Sequence, residues 1–410
     1  MINSKKIVAL LASSAMLVGL AACGNSDAKG GNGGESKDVK LLVWTPQEDQ
    51  KAGWIQKEEK AFEKAHPEYK ITWSNKVVSE GDTGNTVKKD PAAAADVYLF
   101  ANDQLGALVD SNAIGELADS VAQQVKSDND QSMVDSVTNN GKLYGVPFTG
   151  NTWFMYYNKS KVSEADAKNL NTMMDKAKVS FPIDNSWYMP AFYYANGGSL
   201  YGPKGTDGKA GADFGGDKGA AVTKFLAENI ANGKLVDDAN GSGLAGLANG
   251  SVDVIFSGTW DAENVKKALG DNYAAAQLPT VAIDGKEQQM KSFAGSKAVA
   301  YNPSSKFQKA AAQFAAFLGS KDAQLDHYEM RGVVPTIKSL LNNDKVKEDI
   351  AAKAQADTIA NTSVLQPTIT EMSNFWDPTQ NFGKALVEKS VTPDNAAQKT
   401  EDWVNQLNKK

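Results

Sequence analysis

Cysteine is nearly absent from this chain, which has one, Cys23, in 410 residues. A lone thiol forms no internal disulfide, so a disulfide scaffold is excluded. Histidine is almost as scarce, with only His66 and His327. A His-dependent triad, a thiolate nucleophile or a zinc site has very few residues to draw on, and no cofactor or metal is expected. His66 precedes Pro67 and His327 sits in "DAQLDHYEMRG"; both read as surface or helix positions rather than ligands. Excess positive charge is missing as well. Without Lys5 and Lys6 the 43 basic residues become 41, against 49 acidic ones. Nucleic acid needs a clustered basic surface and is not an expected partner. Past the first 22 residues no apolar run nears the ~18 residues of a membrane span. No phosphate-loop pattern and no solenoid-period repeat occur.

What is present begins at the N-terminus. Lys5 and Lys6 precede the apolar run of residues 7–20, and Ala21 and Ala22 lead into Cys23. This is the layout of a secretory signal peptide over 1–22. The stretch Leu20-Ala21-Ala22-Cys23 resembles the bacterial lipobox, which implies that cleavage leaves Cys23 as a lipid-bearing N-terminus attached to the membrane. Residues 23–38 are Gly-, Ser- and charge-rich, with too little apolar surface to fold, and read as a flexible tether. Such a coil spans roughly 20 Å. The expected location is the extracellular face of the cell membrane.

The remaining residues, about 370, suffice for two domains with real cores. Short apolar runs alternate with amphipathic segments, the habit of α/β folds. "VKLLVW", "KITW" and "DVYLF" read as strands. "DQKAGWIQKEEKAFEKAHPEY" reads as one helix with Ile55, Phe62 and Ala65 on a face, ended by Pro67. Asp103 is placed to cap the helix after "DVYLF". Val222, Phe225, Leu226 and Ile230 mark a helix stopped at Gly233. Phe307, Ala311, Phe314 and Leu318 mark another, capped by Ser304 or Ser305 and closed by Gly319. The Gly-rich stretch from Tyr201 to Gly219 reads as a long surface loop.

Tryptophan and tyrosine recur in polar company. Trp44 precedes "TPQEDQ", which holds Glu48 and Asp49; Phe100 stands beside Asn102 and Asp103. "GNTWFMYYNK" contains Asn151, and "DNSWYM" contains Asn185, Trp187 and Tyr188. Trp260 follows a Gly turn in "FSGTWDAEN", and Trp376 lies in "EMSNFWDP". These aromatics fall in loops or at the ends of elements, where open α/β sheets gather their ligand sites. Trp54, Trp73 and Trp403 are assigned to packing. Aromatic faces beside carboxylates and amides suit a sugar, whose ring offers a C–H face and a rim of hydroxyls. Burying about 50 Å² of such a face is worth on the order of 1–1.5 kcal/mol per stack. Several stacks with charge-assisted hydrogen bonds reach about −8 kcal/mol, a micromolar site.

The ordered series "LLVW", "DVYLFANDQLGAL", "NGKLYGVPFTGNTWFMYYNK", "YANGGSLYG", "SVDVIFSGTWDAEN", "AVAYNPSSKFQKAAAQFAAFLGSKDAQ" and "MSNFWDP" resembles the family 1 extracellular solute-binding proteins of bacterial ABC importers. It is most similar to the maltose/maltodextrin-binding members. The resemblance implies a two-lobed α/β periplasmic-binding-protein fold, with discontinuous lobes joined by hinge strands around a ligand cleft. The expected lobes are 39–149 with 299–333, and 150–298 with 334–410. It further implies that Trp187, Trp260 and Trp376 stack sugar rings, that Asp103 is a cleft carboxylate, and that Phe100 shares its wall. Asn151 stands where a maltose binder has a carboxylate, Gln104 replaces a basic residue, and "PQED" replaces an Asp-Lys pair, leaving Glu48 or Asp49 to reach the cleft. The implied function is an anchored monomeric receptor that closes on maltose or maltodextrin and delivers it to an ABC permease. The alternatives are another oligosaccharide on the same fold, or a surface glycoside hydrolase. For the latter, Asp103, Glu48, Asp261 and Glu263 are available, but their spacing singles out no pair.

Overall fold

The computed structural model describes residues 38–409. The leader, Cys23 and the tether up to residue 37 lie outside the described residues.

The first apolar run forms strand Asp38–Thr45, which pairs in parallel with Lys70–Val77 and with Val97–Ala101. All five residues of Val97–Ala101 are buried, as in a central strand covered on both faces. That strand pairs antiparallel with Ser292–Tyr301, which also takes Val146–Thr152 and Ser363–Leu365 to complete six strands. A second sheet runs Leu235–Asp237, Val179–Phe181, Val254–Ser257, Phe154–Asn158 and Tyr273–Ala276. Each sheet has its own core. Val43, Phe62, Leu99 and Phe314 pack around the first, and Phe181, Phe192, Phe256 and Trp403 around the second.

The chain passes repeatedly between the two sheets, so each lobe is discontinuous. Strand Val146–Thr152 belongs to the first sheet and Phe154–Asn158 to the second, with only Trp153 between them. Trp153 is fully buried, 4.8 Å from the Tyr188 ring and edge-on to Phe181. The return runs through the hairpin Thr280–Ile283 and Lys286–Gln289 into Ser292–Tyr301. A last passage follows helix Ile350–Asn361 and strand Ser363–Leu365 to helix Trp376–Val387.

Several expected elements differ in detail. The single helix after the first strand is two, Gln47–Ala52 and Trp54–Ala65, because Gly53 turns the backbone to φ +77°. There a side chain would be strained. Ile55 and Phe62 are buried as expected, but Ala65 is exposed. The helix marked by Phe307 spans Gln308–Leu318 and closes at Gly319, but neither serine caps it: the Ser305 hydroxyl accepts from the Phe307 N–H, just before the helix, at 3.0 Å. Helix Gly216–Ala231 buries Val222 and Leu226. The Gly-rich stretch is more than a surface loop. It pairs Ala212–Asp213 with Ser199–Leu200 and buries Phe214 against Trp403, which also stacks with Phe382 at 4.7 Å. His327 is on a helix but is not a surface residue, being 3% exposed.

Candidate functional site

Strand Val254–Ser257 ends at Gly258, and the short turn Thr259–Asp261 then carries Trp260. The Tyr156 hydroxyl donates to the Gly258 carbonyl at 2.9 Å, fixing the turn. A Cβ on Gly258 would lie 2.0 Å from the Trp260 ring. The indole therefore rests on bare backbone, and Trp260 stays 42% exposed. The Trp187 ring lies 5.9 Å from it at 35°. The Trp187 peptide N–H donates to the Asn185 side chain at 2.9 Å, and its indole N–H donates to Gln366 Oε1 at 2.6 Å. Trp376 opens its helix edge-on to Phe375 and Phe293.

Asp103 does not cap the helix that follows it, which has no side-chain cap at all. Its neutral neighbours include Gln366 and the Trp376 indole. Crowding by protein pushes that carboxyl up to about 7, although its own backbone N–H, Gln366 and Trp376 favour the charged form. The residue itself is only half-buried.

A cleft of about 780 Å³ opens beside these rings. Glu48, Glu80, Thr149, Lys297 and Arg331 line one side, with Trp260, Asp261, Glu263 and Tyr273 on the other. Trp260 also borders a recess of about 300 Å³ with Asp184, Asn185, Tyr188, Asp238 and Asp261. At the floor, Asp49 is 2% exposed, bonded to His327 Nε2 and accepting from Arg331 Nε, each at 3.0 Å. Burial works to raise its pKa, but the His327 and Arg331 hydrogen bonds and charges together hold it below the usual carboxylate range. Two other cleft residues, Thr149 and His327, each bury a polar atom with no protein partner, Oγ1 and Nδ1. Lys297 reaches Glu80 at 3.4 Å. Among the described residues, no group of three or more His, Cys, Asp or Glu is placed to hold a metal.

The structure thus brings Asp103, Asn185, Trp187, Trp260 and Trp376 together, with Glu48 on the facing wall. Asp49 lies at the cleft floor, its Oδ1 committed to two neighbours. Tyr188 backs the recess, its ring against Trp153. Trp44 and Phe100 sit elsewhere. Both are buried in the first lobe's core around Tyr98, because a central strand has no solvent face to offer. Asn151 is buried in its strand opposite Gly295 and lines neither cavity. Gln104 is spent on the loop before it, accepting from the Gly84 N–H and donating to the Glu80 and Gly81 carbonyls. Glu80, Lys297, Arg331 and Gln366 were not anticipated. Arg331 alone carried a usable signal, as the only arginine in the sequence.

Residues 59–354 match the family described as bacterial extracellular solute-binding protein. The chain belongs to that family. This solute-binding protein is 28% identical to a galactooligosaccharide-binding protein of Bacillus subtilis over 96% of its length and 95% of the relative's. It is likewise 28% identical to a maltooligosaccharide ABC transporter solute-binding lipoprotein of Streptococcus pneumoniae, over 88% of both. Among solved structures, one with acarbose matches at TM-score 0.87 and 48% identity, covering 90% of this chain and 98% of that one. The unliganded maltodextrin-binding protein of L. casei matches at TM-score 0.82 and 29% identity, covering 90% and 99%.

Proposed function

We propose that this protein is an extracellular oligosaccharide receptor of an ABC importer, held at the membrane by lipid on Cys23 and acting as a monomer. The observation that carries the reading is the exposed indole of Trp260, set beside Trp187 and lining the cleft. Indole faces meet the C–H faces of sugar rings, and Asp103, Asn185 and Glu48 meet the hydroxyl rim. The favoured ligand is a maltodextrin, in keeping with the relatives from S. pneumoniae and L. casei. A galactooligosaccharide is the second reading. It is favoured by the B. subtilis relative.

In this reading the lobes are 39–149 with 299–333, and 150–298 with 334–410. Their limits fall inside strands Val146–Thr152 and Ser292–Tyr301 and between helix Lys321–Arg331 and helix Ile350–Asn361. The sugar touches both lobes only when they are closed, so binding shifts the population toward the closed form that a permease accepts. A shift from mostly open to mostly closed needs a differential affinity of a few kcal/mol. The protein binds and does not cleave. The test is a tryptophan-fluorescence titration with maltotriose, a galactooligosaccharide, xylotriose and raffinose, with the sugar analysed afterwards. Saturable binding of one sugar, recovered intact, is expected. Shortened sugar would establish a hydrolase instead, and no response to any sugar would remove the cleft reading.

A further inference from the structure

Helix Lys321–Arg331 carries His327 and Arg331 four residues apart, on one face. Both meet the same atom, since Asp49 Oδ1 lies 3.0 Å from His327 Nε2 and 3.0 Å from Arg331 Nε. The His327 ring packs in turn on Trp54 at 4.7 Å and on Phe148 at 4.6 Å, so the carboxylate has a fixed seat. The chain just past the helix is pinned as well. The Gly332 N–H donates to the Tyr328 carbonyl at 2.7 Å, and the Gly150 N–H donates to the Val334 carbonyl at 3.3 Å. A guanidinium is planar, and a grip on Nε leaves its four terminal N–H donors outside the grip. Among the described residues Asp49 is the only hydrogen-bond partner of the Arg331 side chain, which is 25% exposed and lines the cleft opposite Trp260. On the same wall Lys297 is held by Glu80 at 3.4 Å. The cleft is lined by seven carboxylates against three basic side chains, Lys266, Lys297 and Arg331. That balance disfavours an acidic ligand, so the oxygens that suit Arg331 are neutral hydroxyls.

We propose that Arg331 is a ligand-binding residue that sets specificity, its two terminal nitrogens donating to a pair of neighbouring hydroxyls on a neutral sugar stacked against Trp260. The inference rests on the sugar-binding reading above and supplies the contact made from across the cleft. Asp49, expected from the sequence to reach the ligand, acts instead through Arg331. A fork held in one plane meets two oxygens only at one spacing and tilt, so it reads how adjacent hydroxyls are disposed. A lysine ammonium, as a point charge, reads that poorly.

Arg331 is the only arginine in the sequence, so the arginine-directed reagent phenylglyoxal marks a single guanidinium. The experiment follows that adduct by peptide mass mapping, with and without maltotriose or a galactooligosaccharide. It also titrates the protein, Arg331→Met and Arg331→Lys with both sugars, with thermal melts alongside. At about 20 times its Kd, the sugar that binds should slow labelling by about tenfold or more. Loss of hydrogen bonds to a charged group predicts binding about 10- to 100-fold weaker in Arg331→Met. Arg331→Lys keeps a charge beside Asp49, so it should recover the melting temperature while its binding stays about fivefold weak or worse. Labelling at one rate with and without the bound sugar overturns the inference, as does Arg331→Met binding within about twofold of the parent. A lysine variant that recovers affinity along with stability overturns it too, because an ion pair with Asp49 would then be the whole role. If Arg331→Met does not fold, the labelling and Arg331→Lys decide. A parent that binds neither sugar removes the sugar-binding reading and this inference with it; a parent that binds one and leaves Arg331 unprotected removes this inference alone.

Discussion

A tryptophan can hold a ligand or hold a fold, and surroundings decide which. Trp260 lies on bare backbone with one side open, whereas Trp403 is stacked with Phe214 and Phe382 at 2% exposure. Trp260→Ala should therefore weaken maltotriose binding by about 1–2 kcal/mol and leave the melting temperature nearly unchanged. Trp403→Ala should cost roughly 3–5 kcal/mol of stability. Paired titrations and melts separate the two. Asp103 gives a second outcome. Its carboxyl sits near 7 in the free protein, and sugar hydroxyls donating to the ionised form would lower that value in the complex. Binding at pH 6 should release close to one proton, and affinity should rise with pH up to about 7 and then level. Calorimetric titrations in buffers of different ionisation heat measure this, and proton uptake would contradict it. Trp187, Trp260, Trp376 and Asp103 were legible as candidates because each lies in a loop or at the end of an element. Gln366 was not, since its partner Trp187 is 179 residues away and only the folded chain brings them together. Phe100 misled because adjacency to Asn102 and Asp103 says nothing of which side of a buried strand a ring takes.

Elements were read more reliably than their joints. The alternation of apolar runs with amphipathic segments foretold the strands and helices, yet the break at Gly53 needed the φ +77° that only the packed chain reveals. The helix after that break packs Glu58 at 2% exposure towards helix Lys321–Arg331. Burial pushes Glu58 up to about 7, Asp326 and Asp322 add to the rise, and Lys57 opposes it. A carboxyl raised from 4.5 in the unfolded chain stabilises the fold fully below that value and loses the benefit as pH climbs through 7. The difference is on the order of 3 kcal/mol. Thermal melts from pH 4.5 to 8 should fall for the parent and fall less for Glu58→Gln. Asp103 titrates in the same window, so the slope should shrink and not vanish. A Gln variant with the parent's slope would show that Glu58 is not the group responsible.

At the scale of the whole molecule, the two sheets with separate cores make hinge motion the natural degree of freedom. Solution scattering should show the radius of gyration falling when maltotriose is added, and Trp260→Ala should need proportionally more sugar for the same contraction. An unchanged radius at saturation would contradict closure. Much of this architecture could be read from the order of sequence fragments, because the alternation of chain segments between lobes is written in that order. The lobes' facing geometry could not, since it is set by contacts between segments hundreds of residues apart. At the first of the three passages between the sheets, the lone buried joint Trp153 has a further consequence. A loop would let one lobe wander in any direction relative to the other. One residue, pinned by Tyr188 and Phe181, leaves little besides a bend, so the two jaws approach along nearly one path and meet in register each time. Capture then demands no search among orientations, only a wait for the right sugar to arrive.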